Sequence, residues 1–234
     1  MATRTESPLT TGPVRIPINS VSLDADLVVP VGATGIVLFA HGSGSSRHSP
    51  RNRFVADELN TAGLGTLLLD LLTPREAHVD AQTAHLRFDI PLLATRLAAA
   101  TEWVLGQTRL AHLGIGYFGA STGAAAALVA AAEVREMIRA VVSRGGRPDL
   151  AGDWLARVHA PTLLIVGGLD TPVIELNARA FRQLRCEKEM EIVPRASHLF
   201  EEPGTLEGMT LLAREWFARH LPLQQAMRDA GGGW

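Results

Sequence analysis

Three residues carry most of the chemical content of this chain: Ser121, Asp170 and His198. A serine hydroxyl is a weak nucleophile until a base takes its proton. Histidine titrates near neutrality, so it accepts that proton and later returns it to a leaving group. A carboxylate on the other imidazole nitrogen fixes the tautomer and stabilises the imidazolium. Ser121 stands in Gly119-Ala120-Ser121-Thr122-Gly123, the pattern G-x-S-x-G. An apolar β-like run, Ala111 to Phe118, precedes it, and a helix-forming run starts at Thr122. A serine at a sharp strand-to-helix turn has its Oγ pushed out above a sheet, and small residues two before and two after let strand and helix approach.

The elements that must position these residues follow from hydrophobic periodicity. Val14 to Ile18 and Val21 to Val29 alternate apolar and polar, as two antiparallel strands at a sheet edge would. Run 36–40 is continuously apolar, as a strand buried on both faces should be, and 65–69 reads as another buried strand. Further strands are expected at 111–118, 139–143, 161–166 and 189–193, with helices at 51–62, 88–105, 122–135, 149–157, 172–184 and 205–220. Thr73 to Arg87 is polar and reads as loop-rich. Strands alternating with helices predict an α/β fold: a mostly parallel central sheet of about eight strands, flanked by helices. One domain over 13–222 is expected, with a flexible N-terminus at 1–12 and a tail at 223–234.

Ligands of open α/β sheets bind at the carboxyl ends of the strands. Asp170 follows strand 161–166, and His198 follows strand 189–193 after a short loop. Serine, acid, histidine is the chain order of α/β-hydrolases. Asp170 also suits a helix N-cap, which would leave Glu175 or Asp149 as the acid. Strand 36–40 ends in His41-Gly42-Ser43-Gly44-Ser45, a Gly-rich turn. The backbone N–H groups of Ser43 and Thr122 are the expected oxyanion donors, and His41 the buttress of the turn. Arg47, His48, Arg51 and Arg53 cluster just beyond it. Arg47 and Arg51 are candidate binders of a substrate carboxylate, because guanidinium offers a planar fork of donors. Arg144 is a second such candidate, unless it pairs with Asp149. Only residues 145–160 separate strands 139–143 and 161–166, too few for a cap domain, so only the 71–87 stretch is left to cover the site.

The stretches HGSGSSRHSPRN, LLLDLLTPRE, LRFDIPLL, GASTGAAAAL, VVSRGGRPDL and VGGLD, with the Ser197-His198 pair, span nearly the whole length. Through them the chain resembles the dienelactone hydrolase family of α/β-hydrolases. The resemblance implies the α/β-hydrolase fold and a hydrolase acting on a small carboxylic ester or lactone through an acyl-enzyme. Thioesterase and acyltransferase chemistry use the same site. Dienelactone hydrolase itself uses a cysteine nucleophile; this chain has Ser121 at the elbow, which points to a serine esterase of a related subgroup.

Bulk composition sets the remaining expectations. The chain has 234 residues, 47% of them apolar, a net charge of −2 and one cysteine, Cys186. No broad electrostatic case exists for nucleic acid or an anionic membrane. No internal disulfide can form, the N-terminus lacks the apolar core of a signal peptide, and no apolar run approaches the ~20 residues of a spanning helix. A cytoplasmic protein with a small-molecule ester substrate is expected, with no metal and no cofactor, and a homodimer as a candidate assembly. Gly114-x-Gly116-x-x-Gly119 matches a dinucleotide fingerprint. However, its first two glycines fall inside the expected strand and no acidic residue ends a second strand where the ribose contact belongs.

Overall fold

The computed structural model describes residues 10–222. Eight strands form one sheet: β1 (Thr10–Ile18), β2 (Val21–Val29), β3 (Gly35–Ala40), β4 (Gly65–Leu69), β5 (Gly114–Ala120), β6 (Ile138–Arg144), β7 (Thr162–Gly167) and β8 (Lys188–Val193). Their order across the sheet is β1-β2-β4-β3-β5-β6-β7-β8. β1–β2 and β2–β4 pair antiparallel, and every other pair is parallel. The helices are α1 (Pro50–Thr61), α2 (Pro74–Thr83), α3 (Ile90–Gly106), α4 (Thr122–Val134), α5 (Thr171–Gln183) and α6 (Thr205–His220). One apolar cluster packs α3, α4 and α5 on one side of the sheet. A second packs α1 and α6 on the other.

The parallel strands next to the elbow are buried on both faces. Every residue of β3, β5 and β7 is buried, which is why they are mostly apolar or small. Between β6 and β7 lies only a 3₁₀ stretch, Pro148–Arg157, kinked at Gly152, so no cap domain intervenes.

Two expectations need correction. Thr10 to Gly12 are not free: β1 starts at Thr10, and these residues pair with Val29, Val28 and Leu27. The β2 ladder extends that far and supplies backbone partners whatever the side-chain pattern. The rest of the expected flexible N-terminus, and the tail from 223, lie outside the described residues. The 73–87 stretch is not loop-rich: it holds α2 and a 3₁₀ turn, Leu86–Phe88. Thr73 caps α2 in a full capping box. Its hydroxyl accepts from the Glu76 amide, the Glu76 carboxylate accepts from the Thr73 amide at 2.8 Å, and Pro74 occupies the first turn. Pairing with α3 then fixes this polar helix. Arg96 donates from Nη2 to Glu76 Oε1 at 2.5 Å and from Nη1 to Glu76 Oε2 at 2.8 Å.

Candidate active site

The elbow is built by close approach. Ser121 holds φ 50° and ψ −121°, outside the regions ordinary side chains favour, at a cost of order 1–3 kcal/mol. Backbone bonds over-determine it. Its N–H donates to Arg144 O at 3.2 Å, and its carbonyl accepts from the amides of Ala124 at 3.1 Å and Arg147 at 3.0 Å. The flanking glycines have no alternative. A Cβ on Gly119 would lie 2.4 Å from Ala124 Cα, and one on Gly123 would lie 2.2 Å from Ala40 O. α4 behind it is buried from Thr122 to Ala132. The dinucleotide pattern has a plain explanation here: Gly114 and Gly116 sit inside β5, and a side chain on Gly116 would run into the Phe217 ring.

His198 and Asp170 meet as the chain order predicts. His198 Nδ1–H donates to Asp170 Oδ2 at 2.6 Å, which leaves the lone pair on Nε2. Asp170 occupies the N-cap position of α5, yet its side chain makes no capping bond. The carboxylate therefore serves the histidine and not the helix. The alternative acids are engaged elsewhere: Asp149 holds Arg147 through two bonds, and exposed Glu175 lies 4.0 Å from Arg179. Ser121 Oγ makes no hydrogen bond among the described residues, so the serine and the His198–Asp170 pair are brought to the same strand ends without a formed serine–histidine bond.

The turn after β3 is anchored through His41. His41 Nε2 accepts from the Leu71 amide at 3.1 Å, so Nδ1 carries the proton and lies 2.9 Å from Gly42 O. Burial pushes the His41 pKa down, outweighing the Gly42 bond and the Asp70 carboxylate, which raise it. Leu71 is gripped from its other side by Arg96 Nη1, which donates to its carbonyl at 2.6 Å. His41 is thus the expected buttress, tied through Leu71 to the arginine that also holds α2. Among the described residues, the amides of Ser43 and Thr122, the expected oxyanion donors, make none of the backbone bonds found in turns, loops and caps.

The basic cluster is a different matter. Arg47 donates from its backbone to Asp70 Oδ1 at 2.7 Å, and its Nη1 pairs with Asp70 Oδ2. Arg51 Nη1 bonds Glu201 Oε1 at 3.2 Å, and Arg53 Nη2 bonds Asp26 Oδ2 at 3.0 Å and His48 Nδ1 at 2.8 Å. Arg47 and Arg51, the expected binders of a substrate carboxylate, thus each pair with an acid of the chain through one terminal guanidinium nitrogen. Arg144 does not pair with Asp149. It is buried against Phe200, 5.8 Å from the ring centroid, and bonds Asn52 Oδ1 at 3.3 Å. Burial, helped by repulsion from Arg51, brings its pKa down to about 10.

A cavity of about 370 Å³ opens beside the elbow. It is lined by the 41–46 turn and Thr122 on one side and by Leu72, Pro74, Ala77, Ala81 and Leu93 on the other. Sequence reasoning placed the 71–87 stretch over the site but missed its helix. The signal was present in Thr73-Pro74-Arg75-Glu76, a capping box with proline inside it.

Comparison with known proteins fits this geometry. A crystal structure of a dienelactone hydrolase from Anabaena variabilis is 60% identical, with a TM-score of 0.90 over 92% of this chain and 99% of that one. The chain belongs to the dienelactone hydrolase family. The esterase domain of a Rhodothermus marinus protein, at 21% identity and TM-score 0.70 over 90% of this chain and 99% of that one, shares the fold. A Mycobacterium tuberculosis protein, provisionally named a phosphoribosyl transferase, is 56% identical over 216 residues, 92% of this chain and 48% of that protein. The chain thus spans about half the length of the curated relatives it matches. No family model matches it. Among the described residues no helix is long and apolar enough to cross a membrane.

Proposed function

We propose that this chain is a serine hydrolase that cleaves a small carboxylic ester or lactone through an acyl-enzyme. The observation that carries the reading is the His198–Asp170 bond at the strand ends beside a serine held at positive φ. Ser121 Oγ attacks the carbonyl carbon while its proton passes to His198 Nε2. Asp170 stabilises the resulting imidazolium, and the amides of Ser43 and Thr122 receive the oxyanion. The tetrahedral intermediate collapses as the carbonyl carbon–alkoxy oxygen bond breaks, and His198 returns its proton to the leaving alkoxide. Water then attacks the acyl-enzyme, giving a proton to His198. Collapse of this second intermediate frees the acid, and the proton returns to Ser121 Oγ.

Cys186 is a poor rival nucleophile. It lies just before β8, at the opposite end of the parallel strands from the site, and burial pushes its thiol pKa up. The name of the longer mycobacterial relative describes a protein twice this length and is not carried to this chain.

The test is labelling with a fluorophosphonate, which should add its mass to the peptide containing Ser121. Labelling at Cys186, or no labelling of a chain that hydrolyses esters, overturns the assignment. Ser121→Ala should lose roughly 10³-fold or more in rate on a nitrophenyl ester. Asp170→Asn should fold normally, favour the wrong imidazole tautomer and cost up to roughly 10⁴-fold in kcat. A loss under about tenfold for Asp170→Asn would remove it from the relay.

A further inference from the structure

The leaving alcohol and the acyl group place different demands on the two sides of Ser121. The alcohol oxygen must reach the His198 imidazole to collect its proton, so the acyl chain, a separate substituent of the same carbon, runs to a side of Ser121 away from that imidazole. The cavity beside the elbow touches Ser43 and Thr122, the two expected oxyanion residues that flank the serine turn, and its lining includes neither Ser121 itself nor His198. The His198 side chain is itself 37% exposed, so the alcohol side is open to water.

We infer that the cavity is the acyl pocket, that the Pro74–Ala77–Ala81 stripe of α2 sets its bore, and that it selects neutral acyl groups over anionic ones. The inference rests on the serine hydrolase reading above and names the substrate class for that site. Residues 74, 77 and 81 fall on one face of the helix, at spacings of three and four. Ala77 and Ala81 are exposed to the cavity, so their methyl groups leave it wide, and a larger side chain at either would project into open space and not into the core. About 370 Å³ equals roughly a dozen water-sized volumes, room for a medium-length acyl chain.

Charge supports the choice of ligand. The ionised groups on the lining are Asp70, Asp80 and Arg87. Asp80 Oδ2 accepts from Arg87 Nε at 2.6 Å, and Asp80 Oδ1 accepts from the amides of Leu86 at 2.7 Å and Arg87 at 3.1 Å. Burial opposes ionisation of Asp80, but these bonds outweigh it and hold the carboxyl below its usual range. Arg87 is thereby neutralised within the wall, and Asp70 is matched by Arg47 behind it. Each charge on the lining is thus matched by an opposite one within the chain, so among the described residues no uncompensated cation on the lining waits for a carboxylate.

The experiment uses nitrophenyl acetate, butyrate and octanoate, the nitrophenyl monoester of glutarate, and butyrate esters of short and long alcohols. The full chain, Ala77→Leu and Ala81→Leu are compared by ratios taken on one preparation, so the folded fraction cancels. The ratio of kcat/KM for octanoate to that for acetate should fall at least tenfold in both variants, while the short-to-long alcohol ratio moves less than twofold. The wild type should prefer butyrate over the glutarate monoester by at least tenfold. An unchanged acyl ratio, a shift confined to the alcohol series, or a preference for the anionic ester overturns the acyl-pocket assignment while leaving the serine reading intact. A wild type that neither labels at Ser121 nor cleaves any ester overturns both.

Discussion

α4 and α2 face the same cavity and are held in opposite ways. α4 is a run of Thr, Gly, Ala, Leu and Val, buried almost end to end, with glycine contacts so tight that no Cβ fits. α2 is polar, exposes most of its surface, and is fixed by a capping box and by Arg96 gripping Glu76. Packing places Ser121, and ion pairs place the wall opposite it. A packed position tolerates no growth, because interiors are as dense as organic crystals. A wall hung on ion pairs can change its inner face without moving its attachment. On the reading proposed above, the chemistry belongs to the rigid helix and the choice of substrate to the replaceable one.

The sharpest way to break this comparison is Gly123→Ala. Its Cβ would meet the Ala40 carbonyl at 2.2 Å, a backbone atom with nowhere to go. We expect a loss of about 4 kcal/mol or more in stability, among the largest single-residue effects, with loss of labelling at Ser121. Normal unfolding and labelling would show that the elbow has slack.

Next in size is Glu76→Gln, which leaves Arg96, 6% exposed, with no carboxylate. We expect a loss of about 2 kcal/mol, read as a fall of roughly 4–8 °C in Tm. The effect should depend on pH. The Arg96 bond, opposed by burial and assisted by Thr73, holds the Glu76 carboxyl at about 2. A depressed carboxyl contributes fully above its unfolded value near ~4.3, and that contribution is lost as pH falls toward the folded value. The gap in urea midpoint between wild type and Glu76→Gln should therefore be widest at neutral pH and close between pH 4 and 2. A gap that stays constant across that range would mean that the ion pair does not fix α2.

The smallest effect sharpens the contrast. Val79→Ser alters an exposed position of α2, 48% accessible, and should change stability by less than about 0.5 kcal/mol. A thermal shift beyond about 2 °C would show that the outer face of α2 packs against something.

The buried half of the molecule was readable in the sequence because its signals are local. A continuous apolar run named β3, mainly apolar runs named β4 and β7, and the spacing of small residues around Ser121 named the elbow. The order Ser121, Asp170, His198 named the rest of the candidate site. What was not readable depends on partners far along the chain. Whether Arg47 and Arg51 bind substrate turns on Asp70 and Glu201, and the latter is 150 residues from Arg51. α2 was hidden for a related reason. Its polar composition lacks the apolar periodicity that marks a helix, and Arg96, which holds it, is 20 residues from Glu76. Only the capping box announced it locally.

The strained backbone at Ser121 also orders events in time. Its three restraining bonds come from Arg144 on a neighbouring strand, from Ala124 in the following helix and from Arg147 beyond β6. None of the long-range ones exists until β5 and β6 have paired, and such non-local pairing is the slow part of folding. Helical signal in a refolding experiment should thus recover before the ability to react with a phosphonate. Phosphonate labelling at Ser121, if the proposed reading holds, then becomes a clock for the last step of assembly.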